Sequence, residues 1–234
     1  MIINILIYIG LVILAYLLGS IPSAVWIGKS FYKIDVREHG SHNAGTTNVM
    51  RVLGRKAALP VFLIDGLKGY FAVMLSWIIT KEPLGVEPFS EWFVNFRILL
   101  IIASVGGHIF PIFAGFRGGK GMATVTGCMI AFSPVPIILS LIVFLLSLMK
   151  WHYVSLSSIL GSAFFPIFMI LTPMVSQALK LKEKFFINDV LSPTMIVFGF
   201  VVGISLIFMH RKNITRLRSG TESKTYLSKR RRAQ

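Results

Sequence analysis

The stretch Gly115-Phe-Arg-Gly-Gly-Lys-Gly121 places four glycines and two cations in seven positions, in a chain that is otherwise mostly hydrocarbon. Glycines let backbone N–H groups approach an anion, Arg117 and Lys120 supply charge, and a helix starting near Met122 would aim its positive end at the loop. That chemistry suits a phosphate. It is not the chemistry of a nucleotide loop: Ala114 stands where the first glycine of such a loop belongs, and Gly121 occupies the position of the hydroxyl that would hold magnesium. A dinucleotide fingerprint fails at Thr124, the sixth position from Gly119. No cofactor and no metal is expected. The plain alternative is a flexible turn that serves only as a positive orientation signal.

Three further groups of residues carry possible chemistry. In GSHNAGTTNVMR, Ser41, Asn43, Thr46, Thr47, Asn48 and Arg51 crowd short hydrogen-bonding side chains around an arginine able to grip a phosphate with two prongs. The same residues also suit a helix start at Thr46 or Thr47. In HRKNITRLRSGTE, Asn213 and Arg216 follow His210, and Glu222 is the lone acid among nine cations of residues 211–234, so an ion pair is expected of it. Asp65 and Lys68 lie inside an apolar run three residues apart, which puts them on one helix face, where each neutralises the other. His108, at the end of another run, suits an interfacial hydrogen bond or a ligand contact.

The elements that must position these groups are membrane spans. Of the 234 residues, 55% are hydrophobic and 14% charged, and the mean hydropathy is +0.76. Such a composition indicates lipid as solvent. Apolar runs at 3–27, 57–80, 97–114, 122–133, 135–149, 153–172 and 194–210 predict an all-α integral membrane protein of about seven helices in one polytopic domain over 1–234. Residues 122–149 are short for two crossings, so five spans plus a re-entrant hairpin broken at Ser133-Pro134-Val135-Pro136 is the alternative. The first run is too long for a signal h-region and is read as a span.

Lys29, Lys33, Arg37, Arg51, Arg55 and Lys56 in the first loop, and the basic tail 211–234 ending KRRRAQ, belong on the cytoplasmic side. The N-terminus is then outside and the C-terminus inside, although Lys180, Lys182 and Lys184 fall in a loop assigned to the outer face. This topology brings the three polar segments to the cytoplasmic face. The net charge of +15 is accounted for by orientation and anionic lipid, so nucleic acid is not expected as a partner. Cys128 is a lone thiol in an apolar run and carries no redox or metal argument.

The three segments, in order and spacing, resemble the bacterial membrane glycerol-3-phosphate acyltransferases that use acyl phosphate, the PlsY family. The first family motif resembles Ser41 through Arg51, the second Gly107-His-Ile-Phe-Pro111 through Gly118-Gly-Lys-Gly121, and the third His210 through Asn213 with Gly220-Thr-Glu222. His42, Ala44 and Arg117 depart from the pattern, where a small residue, proline and lysine are usual. The resemblance implies transfer of a fatty acyl group from acyl phosphate to the 1-position of sn-glycerol 3-phosphate, giving lysophosphatidate and inorganic phosphate for phospholipid synthesis at the bacterial inner membrane. It implies catalytic roles for Ser41, Arg51, Lys120, His210 and Asn213. Substrate binding is expected of Asn43, Thr47, Asn48, Asp65, Lys68, His108, Arg117, Gly118, Gly119, Gly121, Thr124 and Glu222.

An acyltransferase dyad of His with Asp five positions later is absent at all five histidines. The mixed anhydride is already activated, so alignment and charge stabilisation are the main tasks, and the proton can leave on a substrate phosphate oxygen. His108 and His210 are the conventional bases. The rival class is a transporter of an anionic phosphate-containing metabolite, whose site would lie near midplane between repeated halves.

Overall fold

Pro22 interrupts the run expected to form one span over 3–27. A proline contributes no N–H and disturbs the turn before it, and in the computed structural model α1 (Ile2–Gly19) stops ahead of it while α2 (Ser23–Tyr32) starts after it. The break exposes the Ile21 carbonyl, which accepts from Lys68 Nζ at 2.7 Å. The structure describes residues 2–82, 84–178 and 193–225. The KRRRAQ end and the Lys180, Lys182, Lys184 loop lie outside the described residues.

All regular elements among the described residues are helical. After α2, a 3-10 turn (Val36–Glu38) leads to α3 (Thr46–Val52), α4 (Arg55–Met74) with its 3-10 extension Leu75–Thr80, α5 (Glu91–Ile109), α6 (Met122–Phe132), α7 (Pro134–Trp151), α8 (Val154–Ala178), α9 (Pro193–Met209) and α10 (Arg211–Arg218). Among the described residues, five helices are long and apolar enough to cross a bilayer, and α9 with α10 forms a further pair bent by 54°. The run expected as a span over 122–133 is the 11-residue α6, about 16 Å long against roughly 30 Å of hydrocarbon. It cannot cross alone. The 18-residue α7 can, which weakens the hairpin alternative for 122–149. As expected, the helix of the first motif starts at Thr46, but its cap is Gly45 and no side chain supplies the cap hydrogen bond.

The chain forms two units, Met1–Phe132 and Ser133–Gln234. In the first, α1 packs on α5, and α4 packs on α6, through small residues. A Cβ on Gly107 would stand 2.2 Å from the Tyr16 carbonyl oxygen, one on Gly69 2.3 Å from that of Thr124, and one on Gly127 1.8 Å from that of Gly66. Lipid offers no hydrophobic drive for helix association, so close backbone approach and dispersion hold these pairs. The outward faces, with Ile2, Ile9, Leu63 and Phe71 exposed, are apolar as a lipid contact requires.

The C-terminal end of α6 has its own anchor. The Ala131 carbonyl, orphaned at the helix end, accepts from Arg97 Nη2, and the Arg97 guanidinium lies between the Phe93 and Phe132 rings at 5.5 and 5.2 Å. Sequence reading gave Arg97 no role. In the second unit, α8 packs against both α7 and α9, again with a small residue at the contact: a Cβ on Gly203 would stand 2.7 Å from the Ser162 carbonyl oxygen.

Gly127→Leu should therefore separate α6 from α4. Thermal unfolding in detergent is expected to show a loss of about 1–3 kcal/mol or failure to fold, whereas Gly10→Leu, at a position with nothing within 4 Å, should be neutral.

Candidate active site

The site in the first unit begins with a charge that cannot leave. Asp65 and Lys68, one turn apart on α4, have side chains only 2% and 3% exposed, and they pair at 2.7 Å as their spacing predicted. Ser23, at the start of α2, donates its hydroxyl to the same Asp65 oxygen at 2.8 Å. Lys68 also holds the Ile21 carbonyl, so the break between α1 and α2 is tied to α4 from both sides. Such satisfaction is what a buried ion pair needs to be tolerated.

His108, in the last turn of α5, faces this node. Its Nδ1 is 3.6 Å from Asp65 Oδ1, beyond a hydrogen bond, and 3.1 Å from Thr124 Oγ1 on α6, within one. Around this node Ala44, Pro111, Gly118 and Gly119 complete a small cavity with Ser23, Asp65, Lys68 and His108.

The glycine loop is pressed onto the end of α5. Gly118 N–H donates to the Ile109 carbonyl at 3.1 Å and Gly119 N–H to the His108 carbonyl at 3.2 Å. These two amides, expected to hold phosphate, are committed to the protein. The glycines serve a different need: a Cβ at 118 would stand 1.9 Å from the His108 carbonyl oxygen, and one at 119 would stand 2.3 Å from His108 Nε2. Only hydrogen fits there. Gly121, at φ 81°, turns the chain into α6, which starts at Met122 as the sequence predicted. Lys120 is half-buried between these fixed points, and Arg117 is exposed.

The first motif borders this loop. The Ala44 carbonyl oxygen lies 3.0 Å from where a Cβ of residue 119 would stand. Asn48 is buried and structural: Nδ2 donates to the carbonyls of Val36 at 2.8 Å and His39 at 3.0 Å, while Oδ1 accepts from Ser41 N–H at 2.8 Å. Its amide is spent on folding the 36–41 turn, so it orients Ser41 through the backbone. Ser41 and Asn43 are half-buried, and Thr47 and Arg51 are exposed on α3.

In the second unit, His210 is the residue between α9 and α10, with Nδ1 2.8 Å from the Leu206 carbonyl oxygen. Asn213 donates to Glu222 Oε1 at 2.8 Å, and Arg216 Nε pairs with Oε2 at 2.5 Å, the ion pair expected of Glu222. Burial opposes ionisation of Glu222, but the hydrogen bonds from Arg216 and Asn213 outweigh it and hold the carboxyl below its ordinary value of 4.5.

A sequence model of one family, glycerol-3-phosphate acyltransferase, matches residues 9–220. The chain belongs to the glycerol-3-phosphate acyltransferase family. Relatives of that name in Chlorobaculum tepidum and Salinibacter ruber are 39% and 37% identical, over 93% and 91% of this chain and 96% and 90% of their own lengths. Among solved structures, the crystal structure of PlsY, an integral membrane glycerol 3-phosphate acyltransferase, in its glycerol 3-phosphate form has a TM-score of 0.73 at 34% identity, covering 94% of this chain and 96% of that one. Its lysophosphatidic acid form gives 0.69 at 33%.

The chain is thus an integral, multi-span membrane acyltransferase, and the transporter alternative falls. The sequence reading gave Ser23 no role, although the chain sets a hydroxyl there directly after the proline that breaks the first apolar run, and the structure places that hydroxyl on Asp65. It also gave Asp35 no role and treated Arg37 as an orientation charge.

Two outcomes follow from the charged groups. Asp65→Asn leaves Lys68 buried without its counter-charge and should cost about 3–5 kcal/mol in thermal unfolding, most of it recovered in Asp65→Asn with Lys68→Met. Glu222 has its carboxyl lowered by folding, so its contribution is complete above the ordinary value and is lost as pH falls through the lowered one. The melting temperature of the protein should exceed that of Glu222→Gln by a constant margin above about pH 5, and the margin should shrink below it; a margin that widened on acidification would contradict this.

Proposed function

We propose that this acyltransferase moves a fatty acyl group from acyl phosphate to the 1-position hydroxyl of sn-glycerol 3-phosphate, giving lysophosphatidate and inorganic phosphate. The observation that carries the reading is the end-to-end likeness to a membrane acyltransferase solved in glycerol 3-phosphate and lysophosphatidic acid forms. The donor is carried by the resemblance of the three motifs. In the proposed orientation the N-terminus is outside, the C-terminus is inside, and the chemistry is at the cytoplasmic side of the bacterial inner membrane.

In this reading Lys120 draws the phosphate of glycerol 3-phosphate to the loop at the start of α6, where the helix dipole adds to its charge. Arg51, exposed on α3, and Ser41, oriented by Asn48, address the acyl phosphate. His210 and Asn213 are assigned to catalysis by the third motif, and Glu222 holds Asn213 in place. The hydroxyl oxygen attacks the acyl carbonyl carbon, a new ester C–O bond forms, and the C–O bond to phosphate breaks. The hydroxyl proton ends on a phosphate oxygen. Fixed cations supply the charge stabilisation that such a step needs.

His108 as base is the second reading, favoured by its place beside Asp65 although no Asp stands five positions after it. Against it, Asp65 is already engaged by Lys68 and Ser23, and His108 Nδ1 is within hydrogen-bond reach of Thr124. In the preferred reading His108 supports the glycine loop.

Purified protein in detergent, given glycerol 3-phosphate and palmitoyl phosphate, should yield lysophosphatidate and inorganic phosphate in equal amounts, and none with palmitoyl-CoA or palmitoyl-acyl carrier protein. Product from either thioester in place of the phosphate would remove the proposed donor. Gly119→Cys, which sets a side chain against His108, should raise KM for glycerol 3-phosphate about tenfold or more; an unchanged KM would return the loop to a simple connector.

A further inference from the structure

Arg37 is one of the first-loop cations that orientation alone explains, yet its surroundings are not those of a solvated charge. Its side chain is 14% exposed and that of Asp35 8%. Nε and Nη2 donate to the two Asp35 carboxylate oxygens at 3.0 and 2.8 Å, a two-pronged contact, and the Arg37 N–H donates to Asp35 Oδ1 at 3.0 Å. Lys29 Nζ adds a second cation 3.1 Å from Asp35 Oδ2, and the carboxyl is held well below the usual carboxylate range, chiefly by Arg37.

This leaves Nη1 aimed elsewhere. It donates to the Ala114 carbonyl at 2.7 Å and the Arg117 carbonyl at 3.3 Å, 77 and 80 residues along the chain. Those carbonyls belong to the turn that delivers the glycine loop. The turn is unusual in needing two consecutive left-handed residues, Gly115 at φ 62° and Phe116 at φ 57°, the second of which has a large side chain and is strained. Something must hold it. Its far end is held by the Gly118 and Gly119 amides on α5, and its near face by Arg37. Arg37 is fixed in turn, because Asn48 ties the 3-10 turn that carries it to α3.

We propose that Asp35 and Arg37 form a latch that positions Lys120 for glycerol 3-phosphate by clamping the 114–117 turn, joining the first motif to the second. The proposal rests on the reading that Lys120 holds the phosphate of that substrate. A lone surface ion pair is worth little. Here the pair serves to aim a third donor group, and a guanidinium fork can grip a carboxylate and two carbonyls at once where an ammonium cannot.

The test uses the full chain in detergent with palmitoyl phosphate as donor, comparing Arg37→Gln, Arg37→Lys, Lys120→Ala and the double variant Arg37→Gln with Lys120→Ala. Arg37→Gln should raise KM for glycerol 3-phosphate about tenfold while KM for palmitoyl phosphate stays within about twofold. Arg37→Lys should behave like Arg37→Gln. The double variant should match Lys120→Ala, since a positioning residue has nothing left to position. Restoration of KM by Arg37→Lys, or a lowered melting temperature with KM for glycerol 3-phosphate unchanged, overturns the latch. If Lys120→Ala itself leaves that KM unchanged, the underlying phosphate assignment is what has failed. Should Arg37→Gln not fold, Asp35→Asn carries the same expectation, because it releases the guanidinium from its aim.

Discussion

A carboxylate embedded in a lipid-facing helix must be neutralised where it stands, and in the first unit that requirement organises everything around α4. Asp65 takes Lys68 from its own helix and Ser23 from α2, while Lys68 reaches the carbonyl left open by the break after α1. His108 closes the fourth side and carries the contact on to Thr124 at the start of α6. Removing either charge alone would strand the other in a medium that cannot solvate it. The ends of α1 and α5 and the starts of α2 and α6 are thereby fixed to one buried point in α4.

From that point the glycine loop takes its shape. His108 offers its carbonyl to the Gly119 amide and its ring edge to the Gly119 Cα, and no side chain fits between. The glycines therefore act as a packing surface, and in the proposed function the loop's affinity for anions comes from Lys120 and from the head of α6. On that proposal the usual logic of a glycine-rich anion loop changes: the backbone holds the cation, and the cation holds the ligand.

Much of this was legible in the sequence for reasons that the structure makes plain. The pairing of Asp65 with Lys68 follows from helical spacing in an apolar run, and that Glu222 would pair with a cation follows from its being the lone acid in a cationic stretch, although the choice of Arg216 among the nine cations does not. The helix start at Met122 was marked by the glycines before it. What spacing could not give were contacts between distant segments. Neither Ser23 to Asp65 nor Arg37 to Ala114 has a local signature, and the role of Asn48 as the tie of a turn is invisible among six neighbouring hydrogen-bonding residues. The span at 3–27 misled because hydropathy counts Pro22 as tolerable, whereas the backbone ends its helix there.

The central claim is that the buried charge node in α4 holds in shape the loop proposed to bind phosphate. The most direct test is a donor-free titration of glycerol 3-phosphate into the full chain in lipid nanodiscs, comparing the protein with Asp65→Asn plus Lys68→Met. This double change keeps the node neutral, and the amide oxygen it sets at position 65 can still accept from Ser23, but it takes away the Lys68 hydrogen bond to the Ile21 carbonyl and the charge beside His108. The account predicts saturable binding by the protein and at least about tenfold weaker binding by the double variant. Equal affinity in the two would contradict it, and would reduce the node to a packing device.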